Sequence, residues 1–148
     1  MLTLDVQNAF NSASWTAIIK ALERTDTPKY LQNVLGQYLS DRRIIVEKSD
    51  GAPSVIEMSC GVPQGSVLGP VLWNLMYDGL LSIELPVDTE LIAFADDVAI
   101  VCTAQVPCIL EESLGKALQD VVTWMTNNEL QLALHKTTSS PTGMCITQ

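Results

Sequence analysis

Apolar residues recur at helical spacing in several stretches of the chain, and this pattern predicts a series of helices. The first begins after Ser14, whose hydroxyl is suited to capping a helix, and runs to about residue 24. A second follows the break at Asp26-Thr27-Pro28, and a third leads from the loop after Ser66 to about residue 81. The fourth covers about residues 110–127, and its predicted inward positions are Leu114, Leu118, Val121, Val122 and Met125.

Shorter runs rich in β-branched residues predict strands between these helices. Residues 2–6 resemble the end of a strand, and residues 43–47 and 54–59 flank the turn Ser49-Asp50-Gly51. Residues 89–93 and 98–102 flank a second tight turn, and residues 130–134 predict a last short strand. In chain order these elements predict an α+β fold, in which an antiparallel sheet carries helices on one face.

Composition limits the classes of function that the chain can have. Its 148 residues fit one domain, and a 47% apolar content supplies a globular core. The formal net charge is −9, the wrong sign for a chain that grips nucleic-acid phosphates by itself. His135 is the only histidine and no Cys-x-x-Cys pair occurs, which argues against a zinc site. Cys60 and Cys102 lie in apolar runs, and reduced core cysteines point to an intracellular protein.

The most hydrophobic stretch, residues 66–85, is not expected to cross a membrane. Pro70, Asn74, Asp78 and Glu84 interrupt it, and an acidic side chain inside a bilayer is costly. Residues 1–5 also lack the basic start and apolar run of a secretory signal. The stretch therefore predicts a buried helix of a soluble protein.

The strongest candidate for chemistry is the acidic tetrapeptide Phe94-Ala95-Asp96-Asp97, which lies between two strand-like runs. Adjacent carboxylates in an apolar setting raise the cost of ionising one another, and a bound Mg²⁺ ion removes that penalty. A solvated hairpin turn is the alternative interpretation, since Asp is common in turns. Asp5 at the exit of the first strand favours the metal, because carboxylates on neighbouring strands can hold two Mg²⁺ ions about 3.5–4 Å apart.

Three sequence motifs in order resemble those of a known enzyme family. They are residues 4–11 (LDVQNAFN), residues 61–70 (GVPQGSVLGP) and residues 94–97 (FADD), while residues 134–137 (LHKT) resemble a fourth motif. Together they resemble the palm of the reverse transcriptases of non-LTR, LINE-type retrotransposons, particularly those of arthropods. The resemblance implies a polymerase palm over residues 1–138, followed by an unstructured or unrelated tail over residues 139–148.

The resemblance also implies a set of metal ligands. Asp5 and Asp96 would be the principal Mg²⁺ ligands, with Mn²⁺ as a substitute, and the backbone carbonyl of Val6 would complete one site. Asp97 matches the second acid of the pair, whose role in coordination is less direct.

Further residues match positions that contact the nucleotide or the leaving group. Phe10, beside Ala9, matches the aromatic gate that excludes a 2′-hydroxyl, although a core aromatic is the simpler alternative. Gln64 and Gly65 match a loop that contacts the incoming nucleotide and template, although these residues also suit an ordinary turn. Lys136 matches a residue proposed to protonate or stabilise the pyrophosphate, although an isolated lysine is usually a solvated charge.

The implied activity is RNA-directed DNA polymerisation, with an RNA template, a DNA primer and dNTPs as partners. The chain starts within the first palm strand and ends before a thumb, so we expect a fragment of a retrotransposon polyprotein that polymerises poorly or not at all alone. Translation in the cytoplasm and action in the nucleus are expected. A catalytically inactive relic palm, or the palm of a group II intron or bacterial retroelement, are the alternatives. Arg42-Arg43 fits either a nucleic-acid contact or a solvated strand edge.

Overall fold

The computed structural model describes residues 1–49 and 51–133 and the backbone of residues 138–139. Within these ranges helices and strands alternate in an α+β order. The elements are β1 (Leu2–Asp5), α1 (Ala9–Ser12), α2 (Trp15–Arg24), α3 (Lys29–Leu39), β2 (Arg43–Glu47), β3 (Pro53–Glu57), α4 (Leu68–Leu81), β4 (Thr89–Phe94), β5 (Asp97–Cys102), α5 (Pro107–Asn127) and β6 (Thr138–Ser139).

The chain divides into two compact units. We call Asn8–Tyr77 the central unit, and Met1–Gln7 together with Asp78–Gln148 the sheet unit. The sheet unit contains the strand pair around the acidic tetrapeptide and the first half of the motif at residues 4–11, and the central unit contains the rest of that motif and the motif at residues 61–70.

The sheet unit is built on an antiparallel sheet with the strand order β4-β5-β1-β6. Helix α5 packs against β5 and β4. Leu4 lies opposite Val98, and both are buried; Leu2 and Ile100 form the next buried pair. Because directly paired residues share a face of the sheet, these four apolar side chains define its buried face. The predicted antiparallel sheet with a helix on one face is confirmed.

Helix α5 begins at Pro107, three residues earlier than the apolar period suggests. Proline at the first helical position costs no hydrogen bond there, and its fixed φ suits the helix start. The buried positions of α5 are Ala117, Val121 and Met125. Val122 is 40% exposed, so its predicted inward orientation is wrong. The true buried stripe passes through Ala117, a residue too small to stand out in the hydrophobic pattern.

The central unit begins with the predicted capped helix. The Ser14 hydroxyl accepts a hydrogen bond from the Ala17 N–H at 3.4 Å, and α2 packs against α3. Helix α3 follows Pro28 as predicted, but Leu39 is its only buried position, and Val34 is 56% exposed. The apolar spacing of α3 therefore predicted the helix correctly but does not reveal which of its apolar residues are buried.

Strands β2 and β3 form the predicted hairpin, in which Arg43 pairs with Glu57 and Ile45 with Val55. Every residue of β2 is exposed. The predicted strand at residues 130–134 is reduced to an isolated antiparallel bridge between Val6 and Leu132 within the described residues. No helix in the described part of the chain is long and apolar enough to cross a membrane.

Candidate active site

The pairing of β1 with β5 brings two of the predicted acidic residues directly opposite each other. Asp5 is the register partner of Asp97, one step beyond the buried pair Leu4 and Val98. Since side chains alternate along a strand, both carboxylates belong to the face opposite the buried one. Side chains that oppose each other in this way have Cβ atoms about 4.5–5.5 Å apart. Asp5 is half-buried and Asp97 is exposed, so solvent and small ligands can reach the pair.

The turn between β4 and β5 contains Ala95 and Asp96 only, since Phe94 already pairs with Asp97. The tight turn predicted between residues 93 and 98 is therefore shorter than predicted, because Asp97 is the first residue of β5. Ala95 has a φ of 55°, a left-handed conformation, whereas Asp96 does not. This combination of signs is typical of a type II′ turn, whose twist suits a hairpin. The first residue of the acidic pair is thus in a tight turn and the second is on a strand.

Backbone hydrogen bonds fix the turn against the end of β1. The Val6 N–H donates to the Asp96 carbonyl at 3.2 Å. On the other side of β1, the Ala133 N–H donates to the Asp5 carbonyl at 2.9 Å, and the Gln7 N–H donates to the Gln131 carbonyl at 2.8 Å. Residues 5–7 are therefore held on both sides. Among the described residues no donor bonds to the Val6 carbonyl, which leaves this oxygen available to a ligand.

The chemistry of these donors fits a hard divalent cation. Two carboxylates opposite each other repel and destabilise the strand pair unless a positive charge lies between them. Carboxylate and carbonyl oxygens are the ligands that Mg²⁺ prefers. Residues 1–49 and 51–133 nevertheless contain no group of three His, Cys, Asp or Glu side chains arranged to hold a metal. The structure thus brings Asp5 and Asp97 together and places Asp96 next to Asp97 in the chain. The three carboxylates do not form one cluster.

Phe10 lies in the central unit, on the single turn of α1. Its ring centroid is 5.7 Å from that of Trp73, with the two rings tilted by 32°. The Phe10 carbonyl accepts a hydrogen bond from the Val62 N–H at 2.7 Å, so the residue also supports the loop that follows β3. Phe10 is only half-buried, while Trp73 and the neighbouring Ala9 are buried. Part of the Phe10 ring is packed and part of it is open to a ligand.

The loop of residues 61–66 is anchored at its first residue. The Gly61 N–H donates to the Ala13 carbonyl at 2.8 Å, and the Trp15 indole Nε1–H donates to the Gly61 carbonyl at 2.7 Å. Gly61 has a φ of 89°, and a Cβ atom there would lie 2.8 Å from the Asn11 carbonyl oxygen. The sequence analysis missed the structural roles of Trp15 and Gly61. The signal that could have revealed the role of Gly61 was the presence of a glycine at the start of the motif.

Gln64 and Gly65, at the far end of this loop, are exposed. Gly65 has a φ of 83°, and no atom lies within 4 Å of the position that a Cβ would take. The glycine is therefore required by the backbone conformation and leaves open space beside it. Ser66 then caps the following helix, because its hydroxyl accepts a hydrogen bond from the Gly69 N–H at 2.9 Å and donates to the Pro63 carbonyl at 2.8 Å.

The predicted site residues fall into three groups. Asp5, Val6, Asp96 and Asp97 belong to the sheet unit, whereas Ala9, Phe10, Gln64 and Gly65 belong to the central unit. Lys136 lies outside the described residues, and its role stays a prediction.

Comparison with known proteins identifies the family. Residues 1–144 match the family model described as reverse transcriptase (RNA-dependent DNA polymerase). The chain belongs to the reverse transcriptase family. It is 30% identical over 121 residues to a putative 115 kDa protein of the type-1 retrotransposable element R1DM of Drosophila melanogaster, which covers 82% of the chain. It is 27% identical over 151 residues to the RNA-directed DNA polymerase of the mobile element jockey of the same species, which covers 96% of the chain.

Both relatives come from mobile elements of this insect, and the jockey relative is named an RNA-directed DNA polymerase, in agreement with the non-LTR retrotransposon family that the motifs predict. The chain spans only 12% of the length of the R1DM relative and 16% of that of the jockey relative. What the whole relatives do therefore passes to this reverse transcriptase chain only as a proposal.

Solved structures support the fold. The chain resembles apo telomerase from Candida tropicalis, with a TM-score of 0.72 at 16% identity over 93% of this chain and 29% of that one. It resembles telomerase from the same yeast in complex with a fragment of telomeric RNA, with a TM-score of 0.73 at 13% identity over 93% of this chain and 25% of that one. At such low identity the likeness shows the fold alone, a palm-like α+β arrangement of reverse transcriptase type.

Proposed function

We propose that this chain is the palm of an RNA-directed DNA polymerase that adds dNTPs to a primer 3′-hydroxyl during retrotransposon reverse transcription. The observation that carries the proposal is the register of β1 and β5, which sets Asp5 opposite Asp97 on the accessible face of the sheet. The family membership and the hydrogen bond from Val6 to the Asp96 carbonyl support it.

In the proposed reaction the primer hydroxyl oxygen attacks the α-phosphorus of a dNTP and pyrophosphate leaves. Asp5 and Asp96, with the Val6 carbonyl and with Asp97 in support, would hold Mg²⁺, or Mn²⁺ in its place. When bound, the metal supplies acidification of the attacking hydroxyl and neutralisation of the departing phosphates. The chain contributes positioning, because strand pairing holds the donors at fixed places in the sheet and the loop anchored at Gly61 presents Gln64 and Gly65 to solvent.

The net charge of −9 supports a role in which this palm is not the main nucleic-acid-binding surface of the polymerase. We infer that the RNA template and DNA primer are gripped chiefly by regions of the polyprotein outside this palm. A fragment that covers only the palm would then hold the metal ligands but extend primers weakly. We further propose that the working enzyme acts in the nucleus, because the target-primed reverse transcription implied by the retrotransposon resemblance uses a nicked chromosomal end as the primer.

Primer extension tests this function directly. The longest polypeptide encoded by the gene that contains this chain is expected to extend a DNA primer on an RNA template with dNTPs and Mg²⁺. Chelation of the metal by EDTA should abolish the product, and Mn²⁺ should restore it. The 148-residue chain alone is expected to give much less product. Full extension by the longer polypeptide in EDTA would contradict the metal assignment.

A catalytically inactive relic is the second candidate, and the retained acids argue against it. Asp5, Asp96 and Asp97 are all present, although repulsion between facing carboxylates costs the strand pair stability. The relic predicts no template-dependent product under any metal condition, so the same assay separates the two functions.

Phe10→Ala is expected to weaken sugar selection. The ring is half-buried and held beside Trp73, so it can present an edge to the ribose of an incoming nucleotide. Its removal should raise the rate of rNTP incorporation relative to dNTP by at least about tenfold, since steric exclusion of one hydroxyl is worth ~1–3 kcal/mol. The measurement compares kcat/KM for dNTP and rNTP on one primer–template. Phe10→Tyr, which keeps the ring, is the control, and an unchanged ratio in Phe10→Ala would remove the gate assignment.

A further inference from the structure

A small cleft of about 240 Å³ lies within the central unit. It is lined by the end of α1, by Arg42 and the start of β2, and by the segment that follows β3. The lining residues used below are Asn11, Arg42, Arg43, Cys60, Pro63 and Gln64. Among the described residues that line the cleft none is acidic. The cleft thus holds two of the eight Lys and Arg residues of the chain and no acid among its described lining residues.

Arg42 is the unusual residue of this cleft. Its Nη1 is buried and has no hydrogen-bond partner in the described part of the chain. The guanidinium carbon lies 5.2 Å from the centre of the Tyr38 ring, a cation–π contact that orients the group without satisfying its N–H donors. A buried guanidinium nitrogen without an acceptor is costly, so a small shift of the Arg42 side chain that brings Nη1 to an anionic group in the cleft would be favourable.

The neighbouring arginine differs, because it already has a counter-charge. Arg43 Nη2 lies 3.7 Å from Glu57 Oε1 across the β2–β3 hairpin, and both side chains are largely exposed. An exposed ion pair of this kind contributes little to the stability of the fold. Glu57 nevertheless reduces the net positive charge that Arg43 offers to a ligand. Among the described residues, the cation of the cleft without an ion-pair partner is therefore Arg42.

We propose that this cleft binds a phosphodiester group of a nucleic-acid strand, with the Arg42 guanidinium as the principal donor. The proposal rests on the polymerase function above and deepens it by assigning a strand contact within a chain of negative net charge. A planar guanidinium matches two phosphate oxygens, and the Asn11 and Gln64 amides supply further donors at the same cleft. The strand is the RNA template or the DNA primer, which share this chemistry.

The proposal is tested by the binding of fluorescein-labelled single-stranded oligonucleotides, one RNA and one DNA of the same sequence, to the 148-residue chain at about 50 mM salt without dNTP. Arg42→Gln should weaken the binding of the preferred strand roughly tenfold or more, since charge-assisted hydrogen bonds to phosphate are about twice as strong as neutral ones. In a plot of the logarithm of the association constant against the logarithm of the salt concentration, the magnitude of the slope should decrease by about 0.7. This is the value for one phosphate contact with a single strand. A clear preference for RNA identifies the template, and one for DNA identifies the primer.

The matched control is Arg24→Gln, which removes the same charge from an exposed position at the end of α2 in the same unit. It should change the affinity less than threefold. An equal loss in both variants, or no binding by the unaltered chain, would overturn the proposal. Because the assay contains no dNTP, a failure of primer extension leaves this result unaffected, and the two proposals fail separately.

A measurement on the unaltered chain tests the proposal even if the Arg42→Gln variant fails to fold. Cys60 lines the cleft and is half-exposed, whereas Cys108 is exposed on α5. The bound oligonucleotide should slow alkylation of Cys60 by iodoacetamide at least about threefold, as read by mass spectrometry, and leave Cys108 unchanged. Equal rates at Cys60 with and without a saturating oligonucleotide would show that the strand does not occupy this cleft.

Discussion

Replacing Asp5 by Asn in the longest encoded polypeptide is expected to reduce primer extension by roughly a thousandfold or more. Loss of one group that stabilises developing charge costs about 10²–10³ in rate, and a direct metal ligand should cost at least as much. Asp5 is held from both sides, through its register with Asp97 and through the hydrogen bond that its carbonyl accepts from Ala133. An amide of the same shape should therefore keep the fold and lose the charge.

A second measurement separates a lost metal site from a damaged fold. Without Mg²⁺, Asp5→Asn should leave the free energy of unfolding unchanged or raise it by about 0.2–1 kcal/mol, because it removes the repulsion between facing carboxylates. The unaltered chain should gain thermal stability as Mg²⁺ is added, and the variant should gain much less. Chemical and thermal denaturation monitored by circular dichroism report both quantities.

The matched control is Glu90→Gln, which removes one negative charge from the same sheet. Glu90 is exposed on β4 and pairs with Val101, at the opposite end of the strand from the acidic turn. It should keep extension within about threefold of the unaltered enzyme, because an exposed charge at that distance is screened by solvent. If Asp5→Asn extended primers as well as Glu90→Gln, the metal-ligand assignment of Asp5 would be wrong.

The second large effect is expected on stability, from Gly61→Ala. Two features of Gly61 disfavour a side chain at this position. Its φ is 89°, and an added Cβ would lie 2.8 Å from the Asn11 carbonyl oxygen. A left-handed conformation of a non-glycine residue costs about 1–2 kcal/mol, and the backbone must also shift to relieve the contact. We expect the free energy of unfolding to fall by at least about 2 kcal/mol, as measured by the urea midpoint at constant slope.

Gly115→Ala is the matched control, because the same methyl group is added to a helix. Gly115 lies within α5, and nothing lies within 4 Å of its added Cβ. Since alanine is favoured over glycine inside helices, the variant should gain about 0.5–1 kcal/mol. A stability change at Gly61 that resembles the one at Gly115 would show that the loop is free to move away from Asn11.

Local patterns were enough to predict most elements but not their burial. Apolar spacing placed α2, α3 and the β4–β5 hairpin because helix and strand periods are properties of a short stretch of chain. The same spacing misjudged Val122, which is exposed. Burial depends on what packs against a face, and that partner is distant in sequence. The early start of α5 at Pro107 was readable, since proline at the first helical position is a known start signal.

The sequence by itself determined the family and the chemical identity of the candidate donors, because acids, glycines and their spacing are local facts that a motif preserves. Only the tertiary structure decided how these donors meet. The register of two strands separated by about ninety residues in the chain, counted from Asp5 to Asp97, sets those carboxylates face to face and moves Asp97 from the turn onto β5. The buried, unpaired nitrogen of Arg42 also depends on neighbours distant in sequence. A strand register and a buried charge arise from long-range contacts, and no local pattern encodes them.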